Sequence, residues 1–248
     1  MNSVERLLKY IDESQNIVFF GGAGVSTESG IPDFRSKDGL YNQHDVQFEK
    51  YDPEYLLSKS CLYDEPKVFY EFYRQKMDVR GIEPNITHKV LAKMEDIGKL
   101  KAIITQNIDG LHQKAGSKNV YEIHGSTQKN YCNKCKREYL ADYIFESKDP
   151  IPKCECGGLI RPDVTLYEEN LPGEASSKAL DAIKQADMMI IAGTSLSVFP
   201  AANFIQYFAG KHLVVINKEK LKIQLNEETD LFICDSMGKI FEEIGERL

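Results

Sequence analysis

The sequence has no long hydrophobic segment and no recognisable secretion signal. No stretch approaches the roughly 20 apolar residues that a transmembrane helix requires. Residues 1–15 have the pattern of an amphipathic helix, with Glu5 and Arg6, and lack the apolar core and small-residue cleavage site of a signal peptide. We therefore expect a cytoplasmic protein that does not bind membranes.

An excess of positive charge is also lacking, as are internal repeats, low-complexity tracts and obvious flexible linkers. The formal net charge of −7 disfavours general binding to nucleic-acid phosphates. With 42% hydrophobic and 28% charged residues, the composition is ordinary for a globular protein. The 248 residues suffice for one large domain, or for one domain with an inserted lobe.

Cysteine is scarce, and in a reducing compartment the six cysteines do not indicate a disulfide framework. Four of them form two close pairs, and four thiolates arranged in this way are typical of a structural, tetrahedral zinc site with no open position for substrate. The predicted ligands are Cys132, Cys135, Cys154 and Cys156. The second pair is unusually tight, but Gly157 and Gly158 permit a sharp turn after it. A redox-active Cys132–Cys135 pair is the alternative, although such a pair normally begins a helix.

Short apolar runs predict buried parallel strands, and they alternate with segments of helical spacing. The predicted strands are 16–20, 101–105, 188–192 and 213–216, with 230–234 as a weaker edge strand. The clearest helical spacing lies at 88–95 and 178–185. This alternation is typical of an α/β sheet that is covered on both faces.

Two segments interrupt the alternation and predict a smaller lobe beside the sheet. Residues 36–85 are polar, rich in Tyr and Phe, and helix-like, whereas residues 129–160 contain the paired cysteines and short polar turns. We therefore predict a Rossmann-like parallel-sheet domain with a helical module and a zinc-ribbon module inserted into it. The sheet domain would comprise 1–35, 86–128 and 161–248.

A glycine-rich segment, Phe19–Gly30, follows the first predicted strand and leads towards a predicted helix. Such a loop lets the backbone approach a pyrophosphate, but it also suits a tight turn without a ligand. The next residues favour the binding site, because Arg35 can neutralise phosphate and Phe34 can shield a reactive carbon from water.

A second polar cluster, Gln106–Asp109, follows the strand that ends at Thr105. Its amides and acid suit ribose hydroxyls and a carboxamide, and they suit a capped turn equally well. Among the five histidines, His124 ends a short apolar strand, Val120–His124, and precedes a glycine. Imidazole titrates near neutral pH, so His124 is the favoured general base.

Several motifs occur in one order and spacing between residues 22 and 219: GAGVSTESGIPDFRS, TQNIDGLH, His124-Gly125, Gly193-Thr-Ser195 and Asn217-Lys-Glu219. In this combination the chain resembles the sirtuin family of NAD-dependent protein deacylases. The resemblance implies that His124 is the catalytic base and that Asn107 and Arg35 take part in catalysis. The implied NAD contacts are Gly22, Ala23, Gly24, Thr27, Asp33, Phe34, Arg35, Gln106, Asn107, Ile108, Asp109, His124, Gly193, Thr194, Ser195, Asn217 and Glu219.

The segments 161–170 and 197–201 are either ordinary loops or extended edges. In sirtuins the matching segments hold the substrate peptide between them as an added strand. The resemblance therefore implies peptide contacts from Val164, Leu166, Tyr167 and Val198. One departure lies here: the common family sequence Phe-Gly-Glu is replaced by Tyr-Glu-Glu at 167–169, which removes a glycine from the edge.

The helical insertion also bears on the acyl group. Sirtuins that prefer succinyl-lysine or malonyl-lysine carry a Tyr-x-x-Arg pair in this segment, and the aligned positions here are Phe72 and Gln75. A buried negative charge without a cationic partner is costly. The expected substrate is therefore an acetyl-lysine protein or peptide.

Taken together, the residues and the resemblance predict an NAD-dependent protein-lysine deacetylase that releases nicotinamide and O-acetyl-ADP-ribose. Two alternatives are a protein mono-ADP-ribosyltransferase and a non-catalytic NAD-binding module. The presence of Arg35, Asn107, Asp109 and His124 favours an enzyme, because binding alone does not need a base.

Overall fold

The computed structural model describes residues 2–43, 45–221 and 223–248. Its main layer is a parallel sheet of six strands in the order β3-β2-β1-β7-β8-β9. These strands are β1 (Ile17–Gly21), β2 (Leu100–Thr105), β3 (Val120–Glu122), β7 (Met188–Ala192), β8 (His212–Ile216) and β9 (Leu231–Ile233). The order is that of the Rossmann fold, so the predicted fold class is confirmed.

The central strands are continuously apolar because both faces of the sheet are covered. Every residue of β1 and β7 is buried. The helices that flank the sheet are α1 (Ser3–Glu13), α5 (Ile86–Asp96), α6 (Leu111–Lys114), α8 (Gly173–Gln185) and α9 (Met237–Gly245). Phe19 packs into the layer of α1, α5 and α9, whereas Val18 and Phe20 pack into the opposite layer with α8.

Side-chain caps fix the starts of two of these helices. Asn2 and Glu5 form a reciprocal capping box at α1. The Asn85 side chain accepts hydrogen bonds from the backbone of Thr87 and His88 at the start of α5. The helical spacing predicted at 88–95 lies within α5, and that at 178–185 lies within α8.

The helical module consists of three short helices with an aromatic core. They are α2 (Pro53–Leu56), α3 (Lys59–Asp64) and α4 (Pro66–Lys76). The buried rings of Phe69, Tyr70 and Tyr73 on α4 join this module to residues of the cysteine-containing module in one cluster. Aromatic residues therefore hold the two modules together as one lobe.

The cysteine-containing module is built on an antiparallel sheet in the order β5-β4-β6. Its elements are β4 (Gly125–Cys132), β5 (Glu138–Leu140), α7 (Asp142–Phe145) and β6 (Ile160–Val164). This sheet begins before residue 129 and continues beyond residue 160, the limits expected from the sequence. β4 and β6 pair along their lengths, and this pairing extends the module towards the parallel sheet.

Two local predictions were wrong. The glycine-rich segment does not lead into an α-helix, but into two 3₁₀ turns, Ala23–Val25 and Thr27–Ser29. Gly30 adopts a left-handed conformation there, and a proline follows at 32. Cys234 has no second cysteine near it in the sequence, which predicts an ordinary buried thiol, but it lies just after the end of β9 and is exposed. Among the described residues, no helix is long and apolar enough to cross a membrane.

Candidate active site

A cavity of about 1300 Å³ lies at the carboxyl ends of β1 and β7, where the strand order of the parallel sheet reverses. Ligands of open α/β sheets bind at this point. The cavity is also lined by residues of the smaller lobe, among them Leu57, Met77 and Leu166. It is therefore large enough for a dinucleotide and a second substrate side by side.

Most of the residues singled out in the sequence line this one cavity. On the cofactor side they are Ala23, Gly24, Thr27, Asp33, Phe34, Arg35, Gln106, Asn107, Ile108, His124, Gly193, Thr194, Ser195, Asn217 and Glu219. On the expected peptide side they are Val164, Leu166, Tyr167 and Val198. Gly22 and Asp109 do not line it; both are buried behind its wall.

The glycines after β1 are required by a close approach of two backbones. A Cβ atom at Gly22 would lie 2.7 Å from the Thr194 Cβ, and one at Gly24 would lie 2.7 Å from the Gly193 Cα. The Gly24 amide donates to the Gly193 carbonyl at 2.8 Å. The loops after β1 and β7 therefore form one continuous backbone surface, which suits a pyrophosphate.

Asn107 and Asp109 are joined by Ser26, a residue that sequence reasoning did not select. The Ser26 hydroxyl donates to Asp109 Oδ2 at 2.6 Å and accepts from Asn107 Nδ2 at 3.0 Å. Burial raises the pKa of Asp109, while the hydrogen bonds from Ser26 and from the Leu111 amide oppose that shift. Asp109 therefore acts behind the wall by orienting Ser26 and Asn107.

Gln106 presents a buried donor at the cavity. Its amide nitrogen in the backbone donates to Gly21 O at 2.9 Å, and its side-chain oxygen accepts from Thr194 Oγ1 at 3.2 Å. Its Nε2 is buried and has no hydrogen-bond partner among the described residues. Because Nε2 is closed off from the cavity, a ligand carbonyl or hydroxyl would satisfy this donor only after the Gln106 side chain turns towards it.

His124 is held in one tautomer by the backbone. Its Nδ1 lies 2.9 Å from the Gln106 carbonyl oxygen, which can only accept, so Nδ1 carries the proton and Nε2 has a free lone pair. Burial lowers the pKa of His124, and the bond to Gln106 opposes this in part. The glycine that follows has φ +74°, and a side chain there would collide with the Asp163 carbonyl. The imidazole is therefore neutral near pH 7 and ready to accept a proton.

Arg35 lies where the segment that is expected to bind the cofactor (residues 22–36, the cofactor loop) meets the smaller lobe. The loop itself is shaped by Asp33, whose Oδ1 accepts from the amides of Arg35 and Ser36. The Arg35 guanidinium donates at 2.9 Å to Glu54 Oε1 and at 2.9 Å to the Tyr167 hydroxyl. Sequence reasoning missed Glu54, because no local pattern connects it with residue 35.

The far end of the cavity is polar and more open. Asn217 follows β8, and its Nδ2 donates to the Glu219 carbonyl at 2.8 Å. Ser195 lies within hydrogen-bonding distance of Ser197, 2.6 Å between the two hydroxyl oxygens. The Thr27 hydroxyl donates to Gly24 O at 3.0 Å and so braces the glycine loop. Asn217, Ser195 and Thr27 therefore place polar atoms on both sides of this end of the cavity.

The edge expected to hold a peptide is extended only as far as Val164. Beyond it, Tyr167 forms one parallel bridge with Ser58, and Glu169 N closes a turn onto Leu166 O. Glu168 adopts the left-handed conformation, with φ +72°. The missing glycine therefore leaves the backbone in a glycine-like geometry, and the Glu168 carboxylate accepts from the Ser60 amide and hydroxyl at 2.9 and 2.7 Å.

The side chains of Arg74, Gln75 and Lys76 on α4 are all engaged away from the cavity. Gln75 bonds to Gln47 and Asp45, and Arg74 donates to the backbone carbonyls of Ile144 and Asp149. Lys76 lies 3.7 Å from Asp45 Oδ2. None of these three α4 side chains lines the cavity among the described residues.

The four predicted zinc ligands come together at the tip of the smaller lobe. All four Sγ atoms lie within 4.8 Å of one another, with Cys132–Cys156 at 3.5 Å and Cys135–Cys154 at 3.6 Å. Zinc–sulfur bonds of about 2.3 Å in a tetrahedron place sulfur atoms roughly 3.8 Å apart. Gly158 allows the approach, because a Cβ there would lie 2.5 Å from Cys132 Sγ. The donor set fits one structural zinc ion.

A family model described as "Sir2 family" matches residues 22–200. The chain belongs to the Sir2 family. Two relatives that carry the name NAD-dependent protein deacetylase are similar over almost the whole chain: one from Clostridium acetobutylicum is 50% identical over 245 residues, and one from Clostridium perfringens is 52% identical over 246 residues. In both cases the alignment covers 98% of each chain.

Solved Sir2 structures share the fold. A structure described as "Sir2 bound to acetylated peptide" superposes with a TM-score of 0.86 at 33% identity, covering 100% of this chain and 98% of that one. Another, "Sir2-p53 peptide-NAD+", gives a TM-score of 0.85 at 34% identity with the same coverage. The Rossmann-like sheet and the inserted lobe are therefore those of a Sir2 protein.

Proposed function

We propose that this Sir2 protein is an NAD-dependent protein-lysine deacetylase. The observation that carries the proposal is the fixed tautomer of His124, whose free Nε2 belongs to a residue that lines the same cavity as the glycine loop and Arg35. A binding module would not need a neutral, oriented base beside its nucleotide site. The names of the similar proteins from two Clostridium species support the same activity.

NAD fits the sheet end of the cavity by the chemistry of the groups present. The closely packed loops at Gly22–Gly24 and Gly193–Ser195 would receive the phosphates, and Arg35 would neutralise them. Asn217 and Glu219 would bind the adenosine ribose, and the side chain of Gln106, turned towards the cavity, would bind the nicotinamide or its ribose. When bound, NAD supplies the ribose carbon that accepts the acyl group as nicotinamide leaves.

The residues around the reacting atoms have distinct tasks. His124 would accept a ribose hydroxyl proton at Nε2, while the Gln106 carbonyl stabilises the imidazolium that results. Asn107, oriented through Ser26 by Asp109, would hold the ribose. Ile108 and Phe34 line the cavity with apolar surface and would keep water from the reacting carbon. Overall, acetyl-lysine, NAD and one water molecule, which enters after nicotinamide has left and releases the lysine amine, would give lysine, nicotinamide and O-acetyl-ADP-ribose.

Acetyl-lysine fits the lobe end of the cavity. Val164, Leu166, Tyr167 and Val198 would contact the peptide, and its side chain would enter between apolar residues. Phe72 is buried in the lobe core, and Gln75, Arg74 and Lys76 are engaged elsewhere. Since α4 offers no cation there, a neutral acyl group is favoured over an acidic one.

The lobe and its metal would have structural roles. We propose that Cys132, Cys135, Cys154 and Cys156 bind one zinc ion that stabilises the module, which with the helical module 36–85 is inserted into the sheet domain. Four reduced thiolates suit a reducing compartment, so we place the protein in the cytoplasm.

One assay tests the function: incubation of the protein with NAD and an acetyl-lysine peptide, followed by mass spectrometry. We expect nicotinamide, the deacetylated peptide and O-acetyl-ADP-ribose in equal amounts. Nicotinamide with an ADP-ribosylated protein would instead indicate a mono-ADP-ribosyltransferase, and neither product would indicate a binding module. Either result would refute the proposal.

His124→Ala should abolish deacetylation in a protein that still folds and binds NAD, because the general base is removed. In the unmodified enzyme, kcat/KM should fall as the pH drops through the pKa of His124, since only neutral imidazole accepts the proton. That midpoint should lie below the ordinary histidine value of about 6.5. A fully active His124→Ala protein would exclude the mechanism.

A further inference from the structure

One hydroxyl group connects the expected peptide edge with the cofactor loop. The Tyr167 hydroxyl accepts from Arg35 Nη2 at 2.9 Å and lies 2.9 Å from the Tyr41 hydroxyl. Tyr41 belongs to the segment after the glycine loop, and its ring lies 5.5 Å from the Arg35 guanidinium carbon. A phenylalanine at position 167 would make neither of these hydrogen bonds.

The position of Tyr167 is fixed independently of its side chain. Its backbone nitrogen donates to Leu57 O at 3.1 Å, and its carbonyl accepts from Lys59 N at 3.1 Å. The neighbouring Glu168 carboxylate bonds to Ser60. The helical module thus holds the backbone of Tyr167. The Tyr167 hydroxyl in turn contacts Arg35 and Tyr41.

We propose that Tyr167 is a positioning residue for NAD, which holds Arg35 and the cofactor loop through its hydroxyl from within the peptide edge. The proposal rests on the proposed function for its substrates. Glu54 also accepts a hydrogen bond from Arg35 at 2.9 Å, but it is half-exposed and does not line the cavity, whereas Tyr167 lines the cavity that would hold both NAD and the peptide. The expected NAD site and the expected peptide site therefore share the Tyr167 side chain.

The test is Tyr167→Phe, which keeps the ring and the backbone contacts and removes the two hydrogen bonds. Binding of ADP-ribose, measured by calorimetry, should weaken by about 3- to 10-fold, as expected for the loss of the hydrogen bond that orients Arg35. Binding of an acetyl-lysine peptide should change by less than about twofold, since the apolar wall is retained. In turnover, the KM for NAD should rise by a similar factor.

Tyr41→Phe provides a second measurement. Tyr41 and Tyr167 share one hydrogen bond, so each single variant already removes it. The loss of ADP-ribose binding in the double variant, Tyr41→Phe with Tyr167→Phe, should therefore be smaller than the sum of the two single losses. Tyr143→Phe, in the cysteine-containing module and away from the cavity, is the matched control and should leave ADP-ribose binding unchanged.

Unchanged ADP-ribose binding in Tyr167→Phe would overturn the proposal, as would weakened peptide binding alone, which would make Tyr167 only a wall of the peptide site. ADP-ribose binding needs no turnover. An inactive unmodified protein would therefore refute the proposed deacetylase activity without affecting this test.

Discussion

Tyr70 and Tyr73 lie one turn apart on α4, are both fully buried, and differ in what their hydroxyl groups meet. The Tyr70 hydroxyl donates to the Ile160 carbonyl at 2.6 Å, whereas that of Tyr73 has no hydrogen-bond partner among the described residues. Tyr70→Phe should therefore lower the free energy of unfolding by about 1 kcal/mol, because a buried carbonyl loses its donor. Tyr73→Phe should lower it by less than about 0.5 kcal/mol or raise it.

Urea denaturation of the two variants and the unmodified protein measures this difference. Each variant removes one oxygen atom from the same helix, so each serves as the control for the other. Equal losses of stability would show that the Tyr73 hydroxyl is as well satisfied as that of Tyr70.

At the scale of single residues, the chemistry of several side chains allowed them to be predicted as functional, but the residues that hydrogen-bond to them could not be predicted. His124 and Arg35 could be selected from their type and position. Ser26 and Glu54 could not, because the contacts that matter, Ser26 with Asp109 and Arg35 with Glu54, join segments distant along the chain or unrelated by any local pattern. Residues that orient others carry no local signal of their own.

At the scale of elements, the turn at Glu168 combines backbone strain with a helix cap. A non-glycine residue at φ +72° costs about 1 kcal/mol, and the Glu168 carboxylate offsets this by accepting from Ser60 in the first turn of α3. Glu168→Ala keeps the strain and loses the cap, so it should lower the free energy of unfolding by about 1–2 kcal/mol.

Glu168→Gly loses the same cap but relieves the strain, so it should be more stable than Glu168→Ala by about 1 kcal/mol. Thermal or urea unfolding of the two variants separates the contributions. An alanine variant at least as stable as the glycine variant would show that the left-handed geometry at residue 168 is not retained in solution.

The elements that sequence reasoning found were those whose burial leaves a local pattern. β1 and β7 are buried on both faces and are therefore continuously apolar, and α5 and α8 show a helical period. The strand β4 was not predicted, because its polar residues alternate irregularly, and β6 was predicted only as part of a possible extended edge at 161–170. The pairing of the two strands contains a shift between Ser126 and Asn130. The 3₁₀ turns after β1 were also not predicted. A glycine-rich loop after a strand suggests that an α-helix follows, but the glycine and proline in this segment disfavour one.

At the scale of the whole molecule, the active-site cavity depends on packing between segments that no motif connects. The glycine loop is braced from below by Asn85, whose Nδ2 donates to Val25 O at 2.8 Å and to Ser29 Oγ at 3.0 Å. Asn85 Oδ1 in turn lies 3.0 Å from His88 Nδ1, and the ring of His88 packs against that of His112 at 4.7 Å. A buried histidine pair therefore supports the cofactor loop.

This pair should make the fold sensitive to acid. Burial lowers the pKa of His88 to about 4 and that of His112 to about 3, with the neighbouring His88 contributing to the latter. In the unfolded chain both titrate near 6.5, so between roughly pH 6.5 and 4 the unfolded state binds protons that the folded state does not. The stability that depends on the two neutral histidines is therefore fully present above about pH 6.5. Below that pH, the free energy of unfolding should fall by roughly 1.4 kcal/mol per pH unit for each histidine.

His112→Phe isolates one of the two protons, because neither ring nitrogen of His112 has a hydrogen-bond partner among the described residues and its ring packs edge-on against Phe19. Any cost of fitting the larger ring is independent of pH. The slope of unfolding free energy against pH, measured by urea denaturation between pH 6 and 4.5, should decrease by roughly 1.4 kcal/mol per unit relative to the unmodified protein. Acid protonation of the cysteine cluster affects both proteins equally and cancels in this comparison. An unchanged slope would mean that His112 binds its proton as readily in the folded chain as in the unfolded one, and that the support beneath the cofactor loop is not sensitive to acid through this residue.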